Sequence, residues 1–501
     1  MVEEKLTQLK DRLARVRDLE YAAYVLQWDM ETMMPPGGAD ARADQLATLE
    51  ALAHQYFVDE EIGRLLDDLR PYEAQLDPAS DEASIIRVTR REYQKKVRVP
   101  VALVEEITRT ASLAHHAWVK AREEDHFAHF QPLLQRTVDL AIQWAECFDG
   151  QGNPYNPLLD RFEPGMTYDQ IDAIFSGLKP ELVRLVAAIV EHQDAVDDRI
   201  LHLPWETEAQ LAFGREVVAQ MGYDFERGRL DLSAHPFTIH FGRGDVRITT
   251  RVDESISSCL MSIIHEGGHA LYEQNTSPTL YRTLLDQGAS YSAHESQSRF
   301  YENILGRSRP FWRHFYPRLQ AALPALRDVD IETFYRALNR SRPSLIRVEA
   351  DEVTYGLHII LRFELENDLI NGRVQVADLP HEWNARMEQY LGLTPPNDRL
   401  GVLQDIHWAH GYIGYFPDYL LGTIFSVQLW ERLKQDNPQA EAQVERGEFG
   451  PINAWMREQV QQHGMKFTLP ELAQRITGGP LKWEPYMSYL RAKYGEIYGL
   501  S

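Results

Sequence analysis

The sequence is poor in cysteine, in net positive charge and in long apolar runs, and each shortage excludes a class of protein. Two cysteines, Cys147 and Cys259, in 501 residues make no disulfide framework, and a reducing compartment is the simpler setting. Cys259 lies in the apolar run that leads to His265 and reads as a small buried side chain. The 52 basic residues are outnumbered by 75 acidic ones, leaving a net charge of −23. Such a surface repels phosphate backbones, so nucleic-acid binding is disfavoured. The short basic stretch REYQKKVR, Arg91 to Arg98, reads as a solvated helix face. No run of about 20 apolar residues occurs, so no membrane span and no membrane partner are expected. The opening MVEEKLTQLKDRLARV has no apolar segment of signal-peptide length, and the cytoplasm is the expected location. Length alone suggests roughly three domains. Yet no repeat, low-complexity tract or Pro/Gly/Ser-rich linker divides the chain. The expectation is therefore one large helical body over residues 1–501, of one piece or of two lobes.

What is present is helical periodicity, which makes the fold class mainly α. Leu6, Leu9, Leu13, Val16 and Leu19 recur at three- and four-residue spacing. PPGG, Pro35 to Gly38, interrupts the pattern, and ADARADQLATLEALAHQ resumes it. NPYNPLLDRFEPGMT, Asn153 to Thr167, is rich in turn formers and reads as a loop. Thr167 and Gln170 then fit a capping box that opens the next helix. One segment departs from helical spacing. FTIHF alternates, GRGD turns and VRITTRV alternates again, which predicts a β-hairpin over 237–252. The tripeptide Arg243, Gly244, Asp245 is read as its turn.

The apolar run IIHEGGHALYE, residues 263 to 273, contains two histidines and a glutamate around two glycines. His265 and His269, four apart on a helix, stack on one face about 6 Å apart. Both imidazoles can then reach one Zn²⁺ at about 2.0–2.1 Å. Glu266, about 100° around the helix, is placed to hold a water bound to that metal, as a general base. Each glycine costs about 1 kcal/mol inside a helix. Close approach of another backbone, such as the hairpin, is a reason to keep them. A catalytic zinc needs a third protein ligand and an open position. The three-histidine pattern is excluded, because Tyr272 and Asn275 stand where it needs Gly and His. A downstream glutamate is the other solution. Glu295 in SAHESQSRFYE is the best candidate, with Glu302 an alternative. Glu273 lies on the histidines' own helix and competes poorly. His294 reads as a supporting or core residue.

Six segments carry a resemblance. They are HPF at His235 to Phe237, DVRIT at Asp245 to Thr249, HEGGH at His265 to His269, HESQ at His294 to Gln297, IRVEAD at Ile346 to Asp351 and GVLQDIHW at Gly401 to Trp408. WDMETMMPPGG near the N-terminus fits as well. In this order they resemble the carboxypeptidase Taq family of metallopeptidases over essentially the whole chain. HExxH is shared by many enzymes, whereas IRVEAD and GVLQDIHW are specific. The resemblance implies a mostly helical, groove-bearing fold similar to the angiotensin-converting-enzyme and neurolysin group. It also implies a homodimer that binds zinc, with cobalt accepted in its place, and releases C-terminal residues of peptides one at a time. Broad side-chain tolerance is expected, with proline disfavoured. On these residues the metal would be held by His265, His269 and Glu295, and Glu266 would take the proton from water. By similarity to related zinc peptidases, His407 and Tyr415 would donate to the oxyanion, with Tyr412 and Tyr419 close by as rivals. A guanidinium is suited to the substrate's terminal carboxylate. Arg347 is the first choice and Arg247 the second, with Gln404 closing the site behind the terminal residue. An internal ion pair of Arg347 with Glu349 or Asp351 is the competing reading. The competing activities are an endopeptidase, a dipeptide-releasing carboxypeptidase, or a helical scaffold whose metal is structural.

Overall fold

Residues 2–252 and 255–500 are described by a computed structural model. Helix makes up 70% of the chain and strand 2%, so the fold is mainly α. Contacts along the chain gather into two units. The first comprises Met1–Val97, Arg199–Leu338 and Leu429–Gly478; the second comprises Arg98–Asp198, Asn339–Gln428 and Gly479–Ser501.

In the first unit, the N-terminal periodicity becomes the long helix Val2–Thr32. Leu6, Leu9, Leu13 and Val16 are buried against Ile62, Leu65, Leu66 and Leu69 of the helix Glu60–Glu73, with Leu19 at the margin. Each such side chain contributes roughly 1.5–3 kcal/mol by leaving water. Asp59 caps that second helix by accepting from the Glu61 amide at 2.8 Å. The Pro35–Gly38 interruption is a short 3₁₀ turn, after which the helix Ala39–Phe57 begins.

The predicted hairpin forms as β2 (Thr238–His240) antiparallel to β3 (Val246–Thr250). A strand the sequence reading did not anticipate, β1 (Leu230–Leu232), pairs parallel to β3. The order β1-β3-β2 leaves β2 at an edge. Val246 and Ile248 are buried and Arg247 between them is partly exposed, but Thr249 and Thr250 are buried as well, so the strand is covered on both faces at its C-terminal end. β3 packs on the helix Ile256–Asn275, which carries the two histidines. This histidine helix buries Leu260, Met261, Ile263, Ile264, Leu271 and Tyr272 on several faces, as a core helix does.

The close approach expected at the two glycines comes from a different partner. A Cβ on Gly268 would lie 2.7 Å from the Ser298 Cα and 2.8 Å from the Gln297 carbonyl oxygen. The neighbour is therefore the helix Tyr291–Arg299, which carries Glu295, and not the hairpin. Gly267 instead faces the Val218 side chain, 3.0 Å from its own Cβ position. Helix contact without side chains brings the two functional helices together at the level of the histidines.

In the second unit, the turn-rich stretch 153–167 contains the short helix Asn156–Asp160, where Pro157 occupies a first-turn position that needs no amide donor. The Thr167–Gln170 capping box opens the helix Tyr168–Glu191. The helix Tyr355–Ile370 is buried over nearly all its length. Phe363 on it meets Phe175 and Tyr168, and Gly356 meets Leu182 and Leu420.

Candidate metal centre

His265 and His269 project from one row of the histidine helix, and Glu295 from the neighbouring helix Tyr291–Arg299. Their donor atoms lie within 4.8 Å of one another. The Glu295 Oε2 is 3.8 Å from His265 Nε2 and 3.6 Å from His269 Nε2. These separations are too long for hydrogen bonds. Two donors about 2.1 Å from one tetrahedral ion lie about 3.4 Å apart, so the set fits a shared cation.

The far sides of both rings are already engaged. His265 Nδ1 is 2.8 Å from Glu302 Oε2, and a carboxylate can only accept, so the proton sits on Nδ1. His269 Nδ1 is 2.6 Å from His294 Nδ1, and His294 Nε2 is 2.6 Å from Glu273 Oε1. With His294 donating to Glu273, its Nδ1 accepts from His269 Nδ1–H. In both neutral histidines the free lone pair is then on Nε2, the atom aimed at Glu295.

The surrounding charge favours a cation at that point. Arg299 donates from Nε to Glu295 Oε1 at 2.6 Å and from Nη1 to Glu302 Oε2 at 3.1 Å, reaching both across single helical turns. Burial pushes the Glu302 carboxyl up, but Arg299 and the His265 N–H outweigh it and hold it at about 2. Glu295 is likewise held below the usual carboxylate range, by Arg299 and His265 against its burial. Burial alone would pull His265 down, yet the carboxylates of Glu295 and Glu302 leave it raised. The same two carboxylates would favour a metal ion in the proton's place. Burial pulls the His269 imidazole down to about 3, which keeps it neutral.

Glu266 is 6% exposed, and its Oε2 accepts from the Thr238 hydroxyl of β2 at 2.6 Å. Burial raises its carboxyl, opposed by the neighbouring His265 and by the Thr238 bond. A carboxylate moved toward neutrality is the better proton acceptor at ordinary pH.

Four residues that touch this centre were not singled out for it by pattern alone: Thr238, Arg299, Glu273 as the anchor of His294, and Glu302 as the partner of His265 rather than a ligand. Glu302 lies on a π-helical segment, Phe300–Leu305, a local widening often found at functional sites. A turn of altered pitch has no period a sequence reader can count.

Of the residues expected to read substrate, Arg247 is in the first unit and Arg347, Gln404, His407 and Tyr415 are in the second. Arg247 is held by Asp245 through two hydrogen bonds of 2.8 and 2.7 Å and stacks over Trp28 of the WDMETMMPPGG segment. Arg347 is buried, and its ion pair is with Asp405 at 2.9 Å, not with Glu349 or Asp351. Asp351 instead accepts from Ser341 and Thr354. The Gln404 Oε1 accepts from the Arg347 amide and from Arg362, each at 2.8 Å, and its Nε2 faces the Leu345 carbonyl at 3.0 Å. His407 packs on Phe416 and Tyr415, with its Nε2 3.3 Å from the Tyr419 hydroxyl. Burial keeps it neutral, at about 3.

The family model for carboxypeptidase Taq (M32) metallopeptidases matches residues 8–494. The chain belongs to this family. It is a metal-dependent carboxypeptidase, a peptide hydrolase of broad specificity. It is 40% identical over 482 residues to thermostable carboxypeptidase 1 of Thermus thermophilus, covering 94% of each chain. It is 38% identical over 490 residues to carboxypeptidase 1 of Bacillus subtilis, covering 97% of each. The solved M32 carboxypeptidase of Deinococcus radiodurans superposes with a TM-score of 0.95 at 40% identity, over 99% of this chain and 100% of that one. The family requires a divalent metal. No helix among the described residues is long and apolar enough to cross a membrane.

Proposed function

We propose that His265, His269 and Glu295 hold the divalent ion, zinc with cobalt as an accepted substitute, and that Glu266 is the general base of peptide hydrolysis. The observation that carries this reading is the pair of Nε2 atoms, 3.8 and 3.6 Å from one carboxylate oxygen, with both Nδ1 atoms already engaged. When bound, such an ion lowers the pKa of water toward about 7 and polarises a carbonyl. Glu266 accepts the proton of the attacking water and passes it to the leaving amine. His407 and Tyr415 donate to the oxyanion. Arg347, or Arg247 in its place, binds the terminal carboxylate of the peptide, with Gln404 behind it. The enzyme acts as a homodimer in the cytoplasm, a setting consistent with its two free cysteines.

Metal analysis combined with timed release from an N-blocked dipeptide, with and without chelator, tests the centre as a whole. Release stops on chelation and returns with Zn²⁺. Converting the peptide's C-terminus to an amide also stops release, because the carboxylate contact is lost. Continued cleavage of the amide would make the enzyme an endopeptidase.

Glu302→Gln keeps the side-chain shape but weakens the hold on His265. We expect metal affinity to fall about 10- to 100-fold, measured by chelator competition. An unchanged affinity would remove Glu302 from the centre. Thr238→Val deletes a hydrogen bond to the ionised form of Glu266. Its carboxyl then rises further, and since the base must be deprotonated, the acid limb of kcat/KM moves to higher pH. A limb that stays in place, or moves down, contradicts the assignment of Glu266.

A further inference from the structure

Glu366 is a charged side chain in the second unit that the reaction, as assigned above, does not use. It sits on the helix Tyr355–Ile370 with no solvent exposure. Three groups donate to its carboxylate. The Trp408 indole Nε1 reaches Oε1 at 2.7 Å, while the Tyr155 hydroxyl and the Gly414 amide reach Oε2 at 2.6 and 2.8 Å. Trp408 follows His407 in the chain, and Gly414 precedes Tyr415. One turn earlier on the same helix, Arg362 donates to Asp405 at 2.6 Å and to Gln404 at 2.8 Å. Two side chains of opposite charge on one helix thus fasten the segment 404–414 on either side of His407 and again at the foot of Tyr415.

His407 needs such outside support. Its Nδ1 is buried with no hydrogen-bond partner among the described residues, and its Nε2 has only the 3.3 Å contact to Tyr419. The ring's own hydrogen bonds do not fix its orientation, which is left to its packing on Phe416 and Tyr415 and to the backbone on either side. Gly414 tightens the same anchor. It sits at φ +95°, and a Cβ there would lie 2.6 Å from the Leu158 carbonyl oxygen, so the segment runs directly against the short helix that follows Tyr155.

We propose that Glu366 is a positioning residue for His407 and Tyr415, holding the segment that carries both so that their donors meet the developing oxyanion. The proposal rests on the reading of those two residues as oxyanion donors. Burial pushes the Glu366 carboxyl up to about 7 even with three donors holding it down, so an apolar side chain would be less costly here. Only an acceptor with room for three donors can tie Tyr155, Trp408 and Gly414 to one point. Glutamine cannot do so, because its NH₂ would face one of the three donors.

The test uses the metal-loaded enzyme and an N-blocked dipeptide. Glu366→Gln lowers kcat about tenfold or more, with KM within about twofold and the same metal content per chain. In a His407→Gln/Tyr415→Phe background the same change costs no more than about twofold, since a residue acting through those two side chains has nothing left to position. Tyr155→Phe removes one donor and lowers kcat several-fold, again only when His407 and Tyr415 are not both replaced. If Glu366→Gln does not fold, the Tyr155→Phe cycle decides alone. The proposal is overturned if Glu366→Gln, or in that case Tyr155→Phe, keeps wild-type kcat while His407→Gln is impaired. It is overturned equally if the loss is as large in the His407→Gln/Tyr415→Phe background as without it. Full kcat in both His407→Gln and Tyr415→Phe would instead overturn the oxyanion reading, and this inference with it.

Discussion

Replacing Glu266 by glutamine leaves the metal bound and lowers kcat by about 10²- to 10⁴-fold, the range for loss of a positioned general base. The variant isolates one function. Glutamine has nearly the same shape and keeps an oxygen that can accept from Thr238, 2.6 Å away in the native protein. The atoms proposed to hold the metal belong to other residues, His265, His269 and Glu295, whose hydrogen bonds to Glu302, His294 and Arg299 the change does not touch. What disappears is the ability to take a proton. Metal content per chain and kcat on the N-blocked dipeptide are the two measurements. Full hydrolysis by a metal-loaded Glu266→Gln protein would reject the mechanism. Loss of the metal along with activity would show that Glu266 supports the ligands instead.

Gly268→Ala is expected to destabilise the first unit and weaken metal binding together. On helix propensity alone, alanine should gain up to about 1 kcal/mol over glycine. Here its Cβ would meet backbone, 2.7 Å from the Ser298 Cα and 2.8 Å from the Gln297 oxygen, and backbone cannot rotate away. Overpacking of this kind costs about 1–3 kcal/mol or more. The helix Tyr291–Arg299 must shift to make room, and Glu295 shifts with it. We expect a melting temperature lower by several degrees and a metal affinity about tenfold weaker. Gly267→Ala is the control. Its Cβ meets only the Val218 side chain at 3.0 Å, which can adjust, so its effect on metal affinity is smaller. Equal effects at the two positions would mean that contact between the two helices does not set the metal geometry.

Both variants also mark where sequence reading stops. The 265/269 spacing is legible because helix geometry converts four residues into one face, and Glu266 follows from the same geometry. The hairpin is legible because alternation and a GRGD turn are local. Nothing local says that Gly268 faces the backbone of residues 297–298, or that Glu302 reaches His265 from a π-helical turn. The pairing of Arg347 with Asp405, and not with the nearby Glu349 or Asp351, is another such case. Proximity along the chain pointed to the wrong carboxylates, because Asp405 arrives from a separate segment.

The chain's own pattern determined the helical class, the positions of the N-terminal core side chains, the hairpin and the paired imidazoles, since each repeats at a period that the backbone imposes. Tertiary structure alone decided which nitrogen of each imidazole is free, how far the Glu295 carboxylate stands from both, and which buried charges hold them there. Those are distances between groups brought together from separate stretches of chain, and they depend on packing that no local period encodes.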